Sequence, residues 1–242
     1  MTSLTTEDPI YTKAESWKMF NRIASRYDFL NRFLSLGLDV LWRRKIADFL
    51  PEKPNLEILD LATGTADVPL YLLKGKPDIK MVCGIDMAEK MLKIGRKKIE
   101  KRNLENKIYL KKGDANQIPF EEAQFDCVTI AFGIRNVAQP FVVLNEMLRV
   151  LKKGGRALIL EFSLPCNKWI RPAYLLYLKN IVPFLGGFIS FDYQAYRYLN
   201  KTVEAFPYGE EFCRIMKNIG FDGVVANRLC FGVATIYQGD KP

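Results

Sequence analysis

Glu57-Ile58-Leu59-Asp60-Leu61-Ala62-Thr63-Gly64-Thr65-Ala66-Asp67 is the stretch that most limits what this chain can fold into. The apolar run Ile58, Leu59, Leu61 and Ala62 suits a strand covered on both faces. Gly64 follows where backbone must bend sharply or come close to a ligand. Pro69 stands near the next helix start, where its missing N–H costs little. The segment therefore predicts strand, tight turn and helix, with a ligand at the carboxyl end of the strand. A dinucleotide site asks for three glycines, so that the backbone can hug a pyrophosphate. This turn offers Gly64 alone and sets Asp60 and Asp67 beside it. Those carboxylates repel a pyrophosphate and suit a zwitterionic or cationic ligand. The plainer reading is a glycine that ends a strand in some other α/β domain.

Downstream the pattern alternates. Strands are predicted at Glu57–Ala62, Lys80–Asp86, Lys107–Lys112, Phe125–Phe132 and Arg156–Phe162. Helices are predicted around Val68–Lys74, Ala88–Lys101 and Pro140–Leu151, which makes a doubly wound, mostly parallel sheet. A further helix is expected at Tyr208–Ile219, stopping at Gly220, then a terminal hairpin of Gly223–Asn227 and Gly232–Gln238. Upstream, Met1–Pro9 reads as a loose arm. Trp17, Phe20, Ile23, Ala24 and Tyr27 recur at helical spacing from Ser16, and a second pattern runs from Phe29 to Trp42. The chain is thus one domain over residues 1–242, with a helical cap at 1–50. Residues 164–200 break the rhythm and read as an inserted, aromatic-rich helical lid. No run there reaches the ~18 apolar residues of a spanning helix.

Composition removes several functions. Histidine is absent, which takes away the commonest general base and metal ligand. The five cysteines are scattered without a C-x-x-C pair, so neither a metal site nor a disulfide framework is expected, and the compartment is cytoplasmic. The net charge of +9 favours a polyanionic partner, either nucleic acid or an anionic membrane surface. Eight basic residues against three acidic ones within Lys13–Lys45 put part of that excess on the cap.

Three aspartates end successive strands: Asp60, Asp86 and Asp114. In a parallel sheet those ends share one edge. Asp86 lies 22 residues beyond Gly64, the spacing at which an acidic side chain accepts from ribose hydroxyls. Asp114 can accept from an adenine amino group while the Ala115 N–H meets the ring. Singly, each is a plausible helix cap. Together they favour S-adenosylmethionine, which has an amino acid end, a ribose and an adenine but no phosphate.

Two longer segments carry a family resemblance. Tyr27-Asp28-Phe29-Leu30-Asn31-Arg32-Phe33-Leu34-Ser35, continuing through Gly37 to Trp42, resembles the first signature of the menaquinone/ubiquinone biosynthesis C-methyltransferases. Arg149-Val150-Leu151-Lys152-Lys153-Gly154-Gly155-Arg156-Ala157-Leu158-Ile159-Leu160-Glu161-Phe162-Ser163 resembles their second, and Phe132-Gly133-Ile134-Arg135-Asn136-Val137 their motif after strand four. The likeness runs from about Met19 to the C-terminus. It implies a class I methyltransferase sheet of seven strands and methylation of demethylmenaquinol at its ring carbon. Position by position, the family's cofactor contacts fall on Thr65, Asp86 and the pair Asp114-Ala115, beside Gly64 and Asp60. A usual serine is Ala131 here, a usual histidine is Asp39, a usual methionine is Leu30, and a frequent proline is Lys153. Asp39 bears on substrate choice or the proton path, and it makes a histidine dispensable.

For such a reaction Arg135 is the expected charge stabiliser, as a fixed cation that lowers the quinol pKa; the alternative is a structural salt bridge. Asp28 and Tyr27 are candidates for the proton path. Tyr193, Tyr196 and Arg197 of the lid are expected near the quinol head. A polyprenyl tail calls for a bilayer, so the basic cap and apolar lid predict peripheral binding at the inner face of the membrane. Nothing in the sequence fixes the oligomeric state, a homodimer included. Rival readings are methylation of 2-methoxy-6-polyprenyl-1,4-benzoquinol, an RNA methyltransferase, and a non-catalytic nucleotide-binding module. The RNA reading lacks an Asn-Pro-Pro-Tyr or paired-cysteine motif, and no nucleic-acid partner is expected.

Overall fold

Strands β1 (Glu57–Leu61), β2 (Met81–Asp86), β3 (Ile108–Lys112), β4 (Phe125–Ala131), β5 (Leu151–Phe162), β6 (Asp222–Leu229) and β7 (Ala234–Asp240) form one sheet in the order β3-β2-β1-β4-β5-β7-β6. This is a computed structural model, and it describes residues 12–165, 167–185 and 193–242, without the side chains of residues 193–197. The expected arm Met1–Pro9 lies outside the described residues. β1 to β5 pair in parallel, and β7 runs antiparallel between β5 and β6. From β1 the chain winds outward to β3, then crosses back to β4. That reversal opens a crevice at the carboxyl ends of β1 and β4, the place where open α/β sheets take ligands.

Alternate residues of each strand serve opposite faces. Ile58, Cys127, Leu158 and Ile236 join the apolar cluster on one face. Leu59, Val128, Ile159 and Tyr237 join the cluster on the other. Helices α3 (Asp67–Gly75), α4 (Glu89–Glu100) and α5 (Pro140–Val150) supply the cover. A sheet buried on both faces is why β1 and β4 read as near-continuous apolar runs.

Two boundaries differ most from expectation. β5 begins at Leu151, ahead of the predicted Arg156, because Gly154 and Gly155 are part of the strand. Gly154 takes φ +72° and its N–H donates to Lys241, while Lys241 N–H donates to Gly155. A Cβ at Gly155 would lie 2.8 Å from the Lys152 carbonyl oxygen. In the cap, α1 (Ser16–Leu34) runs on through Phe29 and Phe33, and the break to α2 (Leu38–Lys45) falls at Ser35-Leu36-Gly37. Gly37 N–H donates to Arg32 and Leu36 N–H to Phe33, a paired closure of the helix end. Leu36 adopts the left-handed conformation usually left to glycine, at φ +54°.

In the lid region, helix α6 (Ile170–Leu176) continues into a π-helical turn at Tyr177–Ile181, and helix α7 spans Tyr193–Ala205. Met19 and Leu30 of the cap pack with Leu178, Val182, Tyr198 and Val203. The cap thereby packs against these two helical segments.

Candidate active site

The turn after β1 bends sharply and needs its glycine. Gly64 sits at φ +54°, and Ala62 and Ala66 beside it also take positive φ. Across the crevice, Phe132 follows β4 with φ +56°. A Cβ on Gly133 would come within 2.7 Å of the Ala62 side chain. Non-glycine residues in this conformation carry strain, and here that strain is gathered at one crevice.

Around it lies a cavity of about 180 Å³, lined among others by Gly64, Asp86, Asp114, Ala115, Ala62 and Phe132. Asp86 is fixed by two backbone donors, Gly64 N–H to Oδ2 at 2.8 Å and Ala88 N–H to Oδ1 at 2.7 Å. Burial raises its pKa, and those two donors oppose the rise. Asp114 Oδ1 accepts from the Asn116 N–H and side-chain amide, both at 2.8 Å. Asp60 lies beneath, fully buried, with Thr129 donating to Oδ1 across the β1–β4 pairing. Asp60 Oδ2 and Thr63 Oγ1 are both buried, and Thr63 stands within hydrogen-bonding reach of the Asp60 carboxyl. Burial pushes the Asp60 carboxyl up to about 7, against hydrogen bonds from Thr129 and Thr63. Carboxylates at the strand ends suit a cationic adenosyl sulfonium with free ribose hydroxyls. They do not suit a phosphate chain.

Beside this cavity is a larger, apolar one of about 310 Å³, roofed by the cap and lid. Phe20, Tyr27, Phe132 and Asn136 line both. Its floor is aromatic, with the Phe132 and Phe162 rings 4.6 Å apart. An arginine flanks each ring: Arg43 lies 5.1 Å from the Phe132 centroid and Arg135 5.0 Å from that of Phe162.

Both arginines are buried in ion pairs. Arg135 Nη1 meets Glu161 Oε1 at 2.5 Å and the Phe132 carbonyl at 2.9 Å. Arg43 Nη1 meets Asp39 Oδ2 at 2.5 Å, and Ser35 Oγ donates to Asp39 Oδ1 at 3.0 Å. Asp39 and Arg135 both line the apolar cavity. Tyr27 spans the two cavities. Its pKa is raised by burial, against the charges of Arg43 and Arg135 and a hydrogen bond to Asn31.

Gly64, Asp86, Asp114 and Ala115 therefore meet at the polar cavity, with Asp60 under it, while Tyr27 and Arg135 meet at the apolar one. Thr65 and Asp28 do not line either. Thr65 Oγ1 donates to Asp28 Oδ1 at 2.7 Å, and Lys98 Nζ lies 2.6 Å from Asp28 Oδ2 and from Asp67 Oδ1. Arg32 closes the cluster on Asp67 at 2.9 Å. This ion cluster ties α1 and α4 to the outside of the glycine turn. The side chains of Tyr193, Tyr196 and Arg197 lie outside the described residues. Asn136, Glu161, Tyr174 and Tyr198 were not singled out from sequence. Glu161 and Asn136 stand inside the quoted motifs, and their signal was adjacency to Phe162 and Arg135.

The model of the ubiE/COQ5 methyltransferase family matches residues 11–241. A demethylmenaquinone methyltransferase from Thermus thermophilus is 47% identical over 224 residues, 93% of this chain and 100% of that one. The ubiquinone/menaquinone biosynthesis C-methyltransferase UbiE of Geobacter sulfurreducens is 43% identical over 92% of this chain and 87% of its own. Among solved structures, a SAM-dependent methyltransferase from Thermotoga maritima, described as a possible histamine N-methyltransferase, superposes with TM-score 0.65 at 19% identity. It covers 93% of this chain and 99% of that one, a likeness of fold alone.

Proposed function

This chain belongs to the ubiE/COQ5 methyltransferase family, and we propose that it methylates the ring carbon of demethylmenaquinol with S-adenosylmethionine as donor. The observation that carries this reading is the shared wall. A carboxylate-lined cavity and an apolar, aromatic-floored cavity meet at Phe20, Tyr27, Phe132 and Asn136.

S-adenosylmethionine supplies an electrophilic methyl group on a sulfonium. Asp86 is the acceptor for ribose hydroxyls, and Asp114 with Ala115 serves the adenine. Asp60, below the site, carries a carboxyl that burial raises to about 7 and that a bound sulfonium would favour in its ionised form. In the apolar cavity the quinol ring lies over Phe132 and Phe162. A quinol hydroxyl has an ordinary pKa near that of tyrosine, roughly 10. Arg135 next to it favours loss of that proton to solvent. The ring carbon beside the oxyanion would then take the methyl as the donor's carbon–sulfur bond breaks and its electron pair stays on a neutral thioether, and the ring proton would pass to water as aromaticity returns. Tyr27 keeps its own proton, because burial raises its pKa, so it acts as a donor and positions the ring. Asp28, held by Thr65 and Lys98, steadies α1 and takes no proton from the quinol. Holding both partners across one wall supplies the orientation that a bimolecular transfer otherwise lacks.

The tail is met at a bilayer surface. No helix among the described residues is long and apolar enough to cross a membrane. Leu36 rims the apolar cavity at 86% exposure, in a strained conformation, with Phe29 and Phe33 exposed and stacked beside it. Apolar side chains held outward on a basic cap suit an anionic lipid surface.

Quinones extracted from cells lacking this protein test the substrate. Accumulated demethylmenaquinone is the expected result. Accumulation of 2-methoxy-6-polyprenyl-1,4-benzoquinol would move the assignment to the ubiquinone branch.

A further inference from the structure

Three residues that line the apolar cavity each carry a buried polar atom with no partner among the described residues: Arg135 Nε, the Tyr174 hydroxyl and the Tyr198 hydroxyl. They come from three separate elements: the turn Ile134–Asn136, α6 and α7. Buried donors of this kind are normally satisfied, and each is costly if left unmet. Tyr177 lines the same cavity and differs, for its hydroxyl donates to the Leu34 carbonyl.

The two unmet hydroxyls lie close enough to Arg135 for its charge to act on both. Burial nevertheless outweighs that charge and raises the pKa of each phenol, so both keep their protons. All three atoms therefore offer hydrogens and none offers a negative charge. Their complement is an acceptor that gains charge inside a dry cavity, which is the logic of an oxyanion hole.

We infer that Tyr174 and Tyr198 join Arg135 Nε as a three-donor seat for one ring oxygen of the bound aromatic diol. The seat selects a ring that carries a free hydroxyl over one whose oxygen is already methylated. It also fixes which ring carbon faces the shared wall. This inference rests on the quinol reading given under Proposed function.

The test uses the full chain and 1-naphthol as probe, with naphtholate absorbance reporting the ionisation of the bound ring. The wild type should bind 1-naphthol with its ionisation favoured and prefer it at least about tenfold over 1-methoxynaphthalene. Tyr174→Phe and Tyr198→Phe should each weaken ionisation of the bound naphthol about tenfold, one pKa unit. Both variants should keep the wild-type affinity for S-adenosylmethionine. Tyr177→Phe should leave naphthol ionisation unchanged. Wild-type ionisation in both Tyr174→Phe and Tyr198→Phe would overturn the seat, as would an equal shift in Tyr177→Phe. The wild-type comparison needs no variant to fold, and equal binding of the naphthol and its methyl ether would also overturn it. Failure of the wild type to methylate demethylmenaquinol would instead sink the substrate reading, because the naphthol measurement does not require turnover.

Discussion

Arg135 Nη1 donates to Glu161 Oε1 across 2.5 Å, with side-chain exposures of 6% and 0%. The two residues are brought together by the sheet, one in the turn after β4 and the other near the end of β5. Arg135 lines the apolar cavity, Glu161 lies fully buried behind it, and Arg135 Nε has no partner among the described residues. On the proposed reading, structural ion pair and charge stabiliser would be one side chain, with Glu161 orienting the guanidinium and leaving Nε–H for the substrate.

Removing either partner should unfold more than it informs. Arg135→Ala leaves a buried carboxylate unpaired and should cost ~3–5 kcal/mol of stability. The double variant Arg135→Met, Glu161→Met should recover most of that in urea unfolding, because an apolar pair of similar volume avoids the desolvation penalty. It should bind S-adenosylmethionine like the wild type yet lose methyl transfer about a hundredfold or more. Calorimetry and turnover measured on the same sample separate the two roles.

Asp39 is the departure from the family pattern that invited a role in proton transfer. Its oxygens are taken by Arg43 and Ser35. Asp39→Asn should therefore keep turnover within about tenfold, since loss of a true proton acceptor costs roughly a hundredfold or more. Asp39→Leu should cost ~3–5 kcal/mol in urea unfolding, by stranding buried Arg43. A hundredfold loss in Asp39→Asn with unchanged stability would restore the proton-path role.

Asp60 gives the unliganded protein a pH dependence. Burial raises its carboxyl from an ordinary 3.8 up to about 7. Between those values the folded chain holds a proton that the unfolded chain has lost. The associated stability is complete below about pH 4 and is lost as pH rises through about 7. Urea unfolding from pH 5 to 8 should show a fall on the order of a few kcal/mol that Asp60→Asn reduces, leaving the part of the same sign that the raised Asp86 carboxyl supplies. An equal fall in the variant would assign the effect elsewhere.

Membrane contact should depend on charge and on three apolar side chains. Binding to anionic vesicles should weaken with added salt, while neutral vesicles bind poorly at any ionic strength. Leu36→Asp should reduce partitioning about tenfold, consistent with burying one large side chain. Equal sedimentation with neutral and anionic vesicles at low salt would contradict this.

The sheet was legible because its signals are local. Short apolar runs bounded by Gly64, Gly113 and Gly155 mark strands that must be buried on both faces. Asp60, Asp86 and Asp114 were legible as one site because a parallel sheet brings strand ends to one edge. Asp28 and Thr65 were not legible in the same way. Proximity in sequence to the signature and to Gly64 does not say that Lys98, from α4, reaches across to hold both. Tyr174 and Tyr198 were hidden for another reason. In an aromatic-rich lid every ring fits a buried helix face, and only the packed arrangement tells which hydroxyl is left without an acceptor. The cap break at Leu36 also escaped notice, because leucine is a poor signal for a left-handed turn.

The measurement closest to the central claim follows the methyl group across the shared wall. The purified protein is incubated with methyl-deuterated S-adenosylmethionine and a short-chain demethylmenaquinol, and the product is fragmented by mass spectrometry. The account predicts a trideuteromethyl group bonded to the ring carbon, with one ring hydrogen lost. A label on a ring oxygen, or no transfer from a donor that binds normally, would contradict it.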